Sequence, residues 1–181
     1  MLVWKFQTMA DSEGEKHYKN SAQISTTPDA RYQNIRLVSG GASGALFYAS
    51  DTKTNSRVIV KRLIVDSITY RHESRLLRQL DHENVVIFHG TIPYPQSGSD
   101  RCQSLYAVQE LLDTDLQTLI LSGQLTTGHC RLFTYQLMRG LKYIHSADIY
   151  HGCLQPNVIQ VDSSSLMLKI GDFSLSDKVG L

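Results

Sequence analysis

A run of small residues, Ser39-Gly40-Gly41-Ala42-Ser43-Gly44, sits between two apolar stretches, Tyr32 to Leu37 and Leu46 to Tyr48, and it constrains this chain more than any other feature. Glycine-rich turns let backbone N–H groups come close to phosphate, and they do so in more than one setting. A dinucleotide-binding turn must open a helix, whereas here Ala45-Leu46-Phe47-Tyr48-Ala49 carries on as a strand-like run. The Gly-Lys-Ser/Thr ending of a P-loop is also missing. What remains is a hairpin, and the segment alone fits a phosphate-covering turn and a merely flexible one equally well. Val58-Ile59-Val60 adds a third strand after the turn-forming Asp51-Thr52-Lys53-Thr54-Asn55, so an antiparallel meander is expected.

The third strand ends in Lys61, a position from which an ammonium reaches phosphates lying under the hairpin. Alone, such a lysine is ordinarily a solvated edge residue. Ser67 to Leu80 places Leu76, Leu77 and Leu80 at helical spacing, and Glu73 lies one turn before them, where it is placed to pair with Lys61. Hairpin, lysine and helix glutamate in that order favour a nucleotide site. Val85 to Phe88 and Leu105 to Val108 read as two further strands, separated by the Pro/Gly/Ser-rich loop Pro93 to Asp100. A second helix, Gly128 to Ala147, carries Leu132, Tyr135, Leu137, Leu141 and Ile144, and a strand pair follows around Val158 to Val161 and Leu166 to Ile170.

The strongest signal lies on either side of that strand pair: His151-Gly152-Cys153-Leu154-Gln155-Pro156 and Lys169-Ile170-Gly171-Asp172-Phe173-Ser174. The chain resembles a protein kinase here, with the H-R-D-L-K-P-x-N loop and the D-F-G motif at their usual separation. More narrowly, it is similar to the atypical mitogen-activated protein kinases of the extracellular-signal-regulated kinase three/four branch. Leu80 to Val86, Val108-Gln109-Glu110, Thr114-Asp115-Leu116, Arg131 to Leu137 and Arg139 to Ala147 carry that likeness, which runs from about Arg31 to Leu175.

The resemblance implies an α+β, protein-kinase-like fold. It comprises a five-stranded antiparallel N-lobe with one helix (31–109), a hinge (110–113) and a partial, truncated helical C-lobe (114–181). It also implies a cofactor site for ATP with Mg2+. Ser39, Gly41, Gly44 and Leu46 would cover the nucleotide, and Ile59, Gln109 (the gatekeeper position), Glu110 and Leu112 would line the adenine, with the hinge backbone hydrogen-bonding the base. Lys61 and Glu73 would address the phosphates and Asp172 the metal.

Several positions depart from the pattern. Cys153 stands where the family has the aspartate that accepts the substrate's proton, Gln155 replaces the phosphate-balancing lysine, and Val158 replaces the metal-binding asparagine, with Asn157 one position early. Loss of a general base alone costs ~10²–10⁴-fold in rate, and losing phosphate and metal contacts as well removes more. Ser39 replaces the first glycine, Ser174 the glycine of D-F-G, and Ile59 a small residue against adenine, so nucleotide binding is expected to be weakened. Only Leu175 to Leu181 follow the D-F-S motif, so the face of the second helix is expected to be left unfilled and to need a protein partner. The expected function is therefore a pseudokinase. An active serine/threonine kinase and a degenerate fragment are the alternatives.

Composition sets the outer limits. In 181 residues with a formal charge of +1, acidic and basic residues are interleaved, which argues against nucleic acid and anionic membrane as partners. No apolar run approaches the ~20 residues of a bilayer span. Cys102, Cys130 and Cys153 form no C-x-x-C pair, and seven dispersed histidines suggest no metal cluster, so a reduced cytoplasmic or nuclear compartment is expected. Thr8 to Ala30 is polar and without periodicity, and 1–30 is read as a flexible tail.

Overall fold

The computed structural model describes residues 30–41, 44–64, 68–93 and 104–179. The expected tail and the centre of the Pro93 to Asp100 loop lie outside them. Five strands, β1 (Tyr32–Gly41), β2 (Gly44–Asp51), β3 (Ser56–Ile64), β4 (Phe88–Pro93) and β5 (Ser104–Glu110), form one antiparallel sheet in the order β1-β2-β3-β5-β4. Helix α1 (Ile68–Leu77) is the single helix among the described residues before β4, so the N-lobe has the anticipated five strands and one helix. The strands obey the two-residue alternation of a sheet with one covered face: Ala45, Phe47, Ala49, Val58, Val60, Tyr106 and Val108 are buried together.

One strand is displaced from the sequence reading. Val85 to Phe88 was expected to pair in the sheet, but β4 begins only at Phe88, and Val85 makes a single parallel bridge to Ile170. The run is apolar because Val85 and Val86 are buried between the lobes, in a cluster with Leu76, Leu77, Leu80, Ile144, Ile149, Ile170 and Phe173. Burial, and not sheet membership, explains its composition, an ambiguity inherent in short apolar runs. Helix α1 likewise stops at Leu77, short of the expected Leu80.

Past the hinge, β6 (Thr114–Asp115) leads into α2 (Leu116–Ser122), a short helix absent from the sequence reading. Asp115 caps it through Thr118 N–H at 2.9 Å, and Gly123 ends it with φ 68°, a left-handed conformation that glycine adopts without a Cβ penalty. Helix α3 (Thr127–Ser146) is capped by Thr126 and His129 in a reciprocal box. β7 (Ile149–Tyr150), β8 (Ile159–Asp162), β9 (Met167–Ile170) and β10 (Asp177–Lys178) follow, with β6-β8-β9 and β7-β10 as small sheets.

The face that α3 buries also differs from expectation. Phe133, Gln136, Gly140 and Ile144 are its buried positions, while Leu137 and Leu141 pack against the inter-lobe cluster. Of the five residues expected to lack cover, only Leu132 and Tyr135 are exposed, and Met138 joins them. Gly140 is needed because a Cβ there would lie 2.9 Å from the Asn84 carbonyl oxygen and from Ile170 Cδ1. Beside it, Gln136 accepts the Leu168 N–H at 2.8 Å and an Asn84 amide hydrogen at 3.1 Å, which locks α3 onto β9. The helix therefore closes most of its own core.

Candidate nucleotide site

Lys61 lies inside β3, which runs on through Leu63 to Ile64 and does not end at the lysine as expected, and its Nζ donates to Glu73 Oε2 on α1 at 2.8 Å. Glu73 is almost fully buried and uses its other oxygen to accept from Gln109 Nε2 at 3.2 Å. A buried carboxylate must be partnered, and these two donors satisfy it. Gln109, placed by sequence at the gatekeeper position, thus helps to hold Glu73 while Glu73 aims the ammonium. Asp172 Oδ1 lies 4.0 Å from the same Nζ. Its side chain is 45% exposed, so the carboxylate remains open to solvent and to a cation.

The backbone places Asp172 deliberately. It has φ 55°, the left-handed region that aspartate tolerates better than most side-chain-bearing residues. Phe173 next to it is fully buried against the Leu76 and Leu77 cluster, so the helix that carries Glu73 is packed on the residue following the metal candidate. His151 Nε2 meets the Gly171 carbonyl at 2.8 Å, and the imidazole lies edge-on to Phe173 at 5.0 Å. Burial holds the His151 pKa below its usual value, despite the opposing effects of the Gly171 contact and Asp172.

The catalytic-loop segment contacts Gly171, the residue before Asp172. The loop's path is held through its main-chain carbonyls: Gly171 N–H donates to that of Val158 at 3.0 Å, and the Ser176 hydroxyl donates to that of His151 at 2.8 Å. Cys153 is half-buried, with the Gln155 side-chain amide donating to its Sγ at 3.1 Å. The two residues standing at the base and lysine positions therefore engage each other. Asn157 has a buried Oδ1 without a hydrogen-bond partner. Gly152, at φ 77°, lies so close to the following segment that a Cβ would sit 2.2 Å from the Leu175 carbonyl oxygen.

The hairpin and hinge complete the cleft. β1 and β2 pair through Gly41↔Gly44, with Ser39 opposite Leu46, and Leu46 in turn is opposite Lys61 on β3. The paired part of the hairpin therefore lies beside the lysine's strand in the same sheet, and its tip, Ala42 and Ser43, lies outside the described residues. Ile59 is half-buried, opposite Gln109 on β5. In the hinge, Glu110 donates its N–H to the Ile87 carbonyl at 2.9 Å, and Leu111 donates its N–H to the Arg57 carbonyl at 3.2 Å. Leu112 donates its N–H to the side chain of Gln160, at 2.9 Å from Oε1. The N–H groups of Glu110, Leu111 and Leu112, in the hinge expected to await a base, are thus already engaged.

Two residues of this arrangement were missed in the sequence. Gln160 is one, and Lys169 is the other, with its Nζ 2.7 and 2.9 Å from the carboxylate oxygens of Glu110. Both are polar residues in short strands whose partners lie 48 and 59 residues away, so no local pattern marks them. Among the described residues, no group of three or more His, Cys, Asp or Glu side chains is placed to hold a metal.

The donor set suits magnesium nucleotide in part. Lys61 is a cation oriented by Glu73 that could hold phosphate, and Asp172 offers an exposed carboxylate oxygen, the donor type that Mg2+ prefers. The second metal ligand expected of such a site is replaced by Val158, which has no donor side chain.

Comparison with known proteins agrees with this geometry. The family model described as "Protein kinase domain" matches residues 32–180. Mitogen-activated protein kinase 4 of Arabidopsis thaliana is 39% identical over 149 residues, covering 78% of this chain and 39% of the relative. Mitogen-activated protein kinase 4 of Mus musculus is 38% identical over 156 residues, covering 81% and 26% respectively. The protein of the same name from Rattus norvegicus is 40% identical over 146 residues, covering 75% and 53%. The chain thus spans about half or less of the length of these relatives. The match over nearly all of the described residues, on a fold that brings Glu73 and Asp172 within 4.0 Å of Lys61, means that this chain belongs to the protein kinase family, with mitogen-activated protein kinases among its relatives.

Proposed function

We propose that this protein is a pseudokinase: it binds ATP with Mg2+ weakly in the cleft between β3, α1 and Asp172, does not transfer phosphate efficiently, and acts through protein contacts. The observation that carries the reading is an asymmetry within one cleft. The Lys61–Glu73 pair is made at 2.8 Å with Asp172 beside it, while Cys153, Gln155 and Val158 occupy the positions of proton acceptor, phosphate lysine and metal asparagine. Lys61 would hold the phosphates, Glu73 would hold Lys61, and Asp172 would take the cation. Bound Mg2+ would neutralise phosphate charge. Cys153 brings a thiol in place of a carboxylate, and a neutral thiol is a poor acceptor for the proton of a substrate hydroxyl at neutral pH.

The protein contacts are proposed through the exposed side of α3, where Leu132, Tyr135 and Met138 stand on one helix. No described helix is long and apolar enough to cross a membrane, and a cytoplasmic or nuclear setting is part of the proposal.

Titration of a fluorescent ATP analogue with Mg2+ tests the site. Binding should be measurable and should weaken about tenfold or more in Lys61→Ala. Equal affinity in variant and parent would remove the site. In parallel, transfer of phosphate to a generic protein substrate should not exceed a buffer control. The second reading, an active serine/threonine kinase, is favoured by family membership and by the intact Lys61, Glu73 and Asp172. Turnover that disappears in Asp172→Ala would establish it.

A further inference from the structure

The N–H groups of Glu110, Leu111 and Leu112 in the hinge differ in what they bind. Glu110 and Leu111 donate to the main-chain carbonyls of Ile87 and Arg57, contacts that belong to the scaffold and cannot be released without unpairing it. Leu112 donates to a side chain, the Oε1 of Gln160 at 2.9 Å, and a side chain can leave by a rotamer change. Gln160 lies on β8, opposite Asp115 of β6, one residue beyond the hinge-proximal end of that strand pair. At the other end of the amide, Nε2 lies 3.2 Å from the point where a Cβ on Gly171 would sit. The glutamine therefore reaches across the floor of the cleft, from the hinge to the residue before Asp172.

We infer that Gln160 is a built-in occupant of the base-binding position, and that a purine must displace its amide to reach the hinge. An adenine ring nitrogen and the Gln160 carbonyl oxygen are both acceptors and would compete for the same Leu112 N–H. The glutamine competitor is intramolecular, so it discriminates against every base that binds through this donor and lowers apparent affinity by the fraction of molecules in which the amide is docked. The absence of a side chain at Gly171 is what leaves room for it: a methyl group there would crowd Nε2, the Val158 carbonyl and Val86 Cγ1, at 3.2 to 3.3 Å. This inference rests on the proposed nucleotide site and assigns to Gln160 the weakening that the sequence attributes to Ile59 and the altered glycines.

Adenosine is the appropriate probe because it lacks the phosphates that Lys61 would hold. Calorimetric titration of the parent, Gln160→Leu and Gln160→Met should give binding about three- to tenfold tighter in both variants, the gain expected from removing one competing hydrogen bond. Methionine keeps the length of the side chain and serves if leucine disturbs β8. Without ligand, the Leu112 amide should exchange with solvent faster in both variants than in the parent. Unchanged exchange would show that Gln160 does not hold the hinge and would overturn the inference. Equal or weaker adenosine binding by the folded variants would also overturn it, while Lys61-dependent binding of magnesium ATP by the parent would leave the nucleotide site standing. Absence of adenosine binding in all three, together with no Lys61-dependent ATP binding, would remove both.

Discussion

The charged corner of the cleft and the loop from His151 to Val158 are built by opposite means. At the corner, position depends on the functional side chains themselves: Lys61 is held by Glu73, and Glu73 by Gln109. In the loop, position depends on main-chain contacts and on residues without a role in transfer, the Gly171 to Val158 and Ser176 to His151 hydrogen bonds among them. A substitution at the corner therefore disturbs geometry and chemistry together. The loop can change its chemistry at Cys153, Gln155 and Val158 and keep its path. The shape of the loop is thus weak testimony to its activity, because the bonds that make that shape are not those that do the work.

The comparison breaks most readily at Gly152. If main-chain packing dictates the loop, Gly152→Ala should cost at least about 2 kcal/mol of unfolding free energy, from left-handed strain and from a Cβ 2.2 Å from the Leu175 carbonyl oxygen. Denaturant melts measure it, and a cost below half of that would mean that the segment after Asp172 yields easily. Next in size, Glu73→Ala strips Lys61 and the Gln109 amide of their shared acceptor. A loss of about 1–2 kcal/mol is expected, discounted because Lys61 is partly exposed, together with weaker nucleotide binding. Unchanged nucleotide affinity would show that Lys61 does not need its partner.

Acid should act through the loop. Burial lowers the pKa of His151 in the folded chain, so the unfolded chain takes up a proton first, near the usual ~6.5. The His151 contribution is therefore complete above that pH and is lost as pH falls below it, by no more than about 1.4 kcal/mol per pH unit. Melting at pH 7.5 and 5.5 should show this slope, and His151→Asn should flatten it. His89 is also lowered by burial, so part of the slope should survive. The smallest expected effect is at Asp172, where Asp172→Asn should change stability by less than about 0.5 kcal/mol, given a half-exposed pair at 4.0 Å. Its effect should appear instead as a lost Mg2+ dependence of ATP binding, and retention of that dependence would place the metal elsewhere.

These two regions were also unequally legible from sequence. The juxtaposition of Lys61, Glu73 and Asp172 could be read because each sits at a fixed offset in a recognisable run: after three apolar strand residues, one turn before paired leucines, and in a D-F pair after a hairpin. The fold of the sheet followed from alternation and turn residues. Val85-Val86 defeated the same reasoning, since a short apolar run looks alike whether it lies in a sheet or between two lobes. The occupied hinge could not be foreseen, because a glutamine in a four-residue strand carries no mark of the N–H forty-eight positions away that it holds. The face of α3 was misjudged because helix periodicity gives the apolar residues without saying which neighbours arrive from β9 and from α1.

Val86 N–H donates to the Ile170 carbonyl at 3.0 Å, and Ile170 N–H donates to the Asn84 carbonyl at 2.9 Å. These two bonds stitch the segment after α1 to the last residue of β9, across the line that divides the lobes in sequence. Exchange of those amides therefore requires the seam itself to part, along with the burial of Phe173 and Ile144 beneath it. The cooperative unit in this chain then runs through the seam, so that α1, the end of β9 and the middle of α3 should exchange as one block, at a rate slower than that of the outer strands on either side.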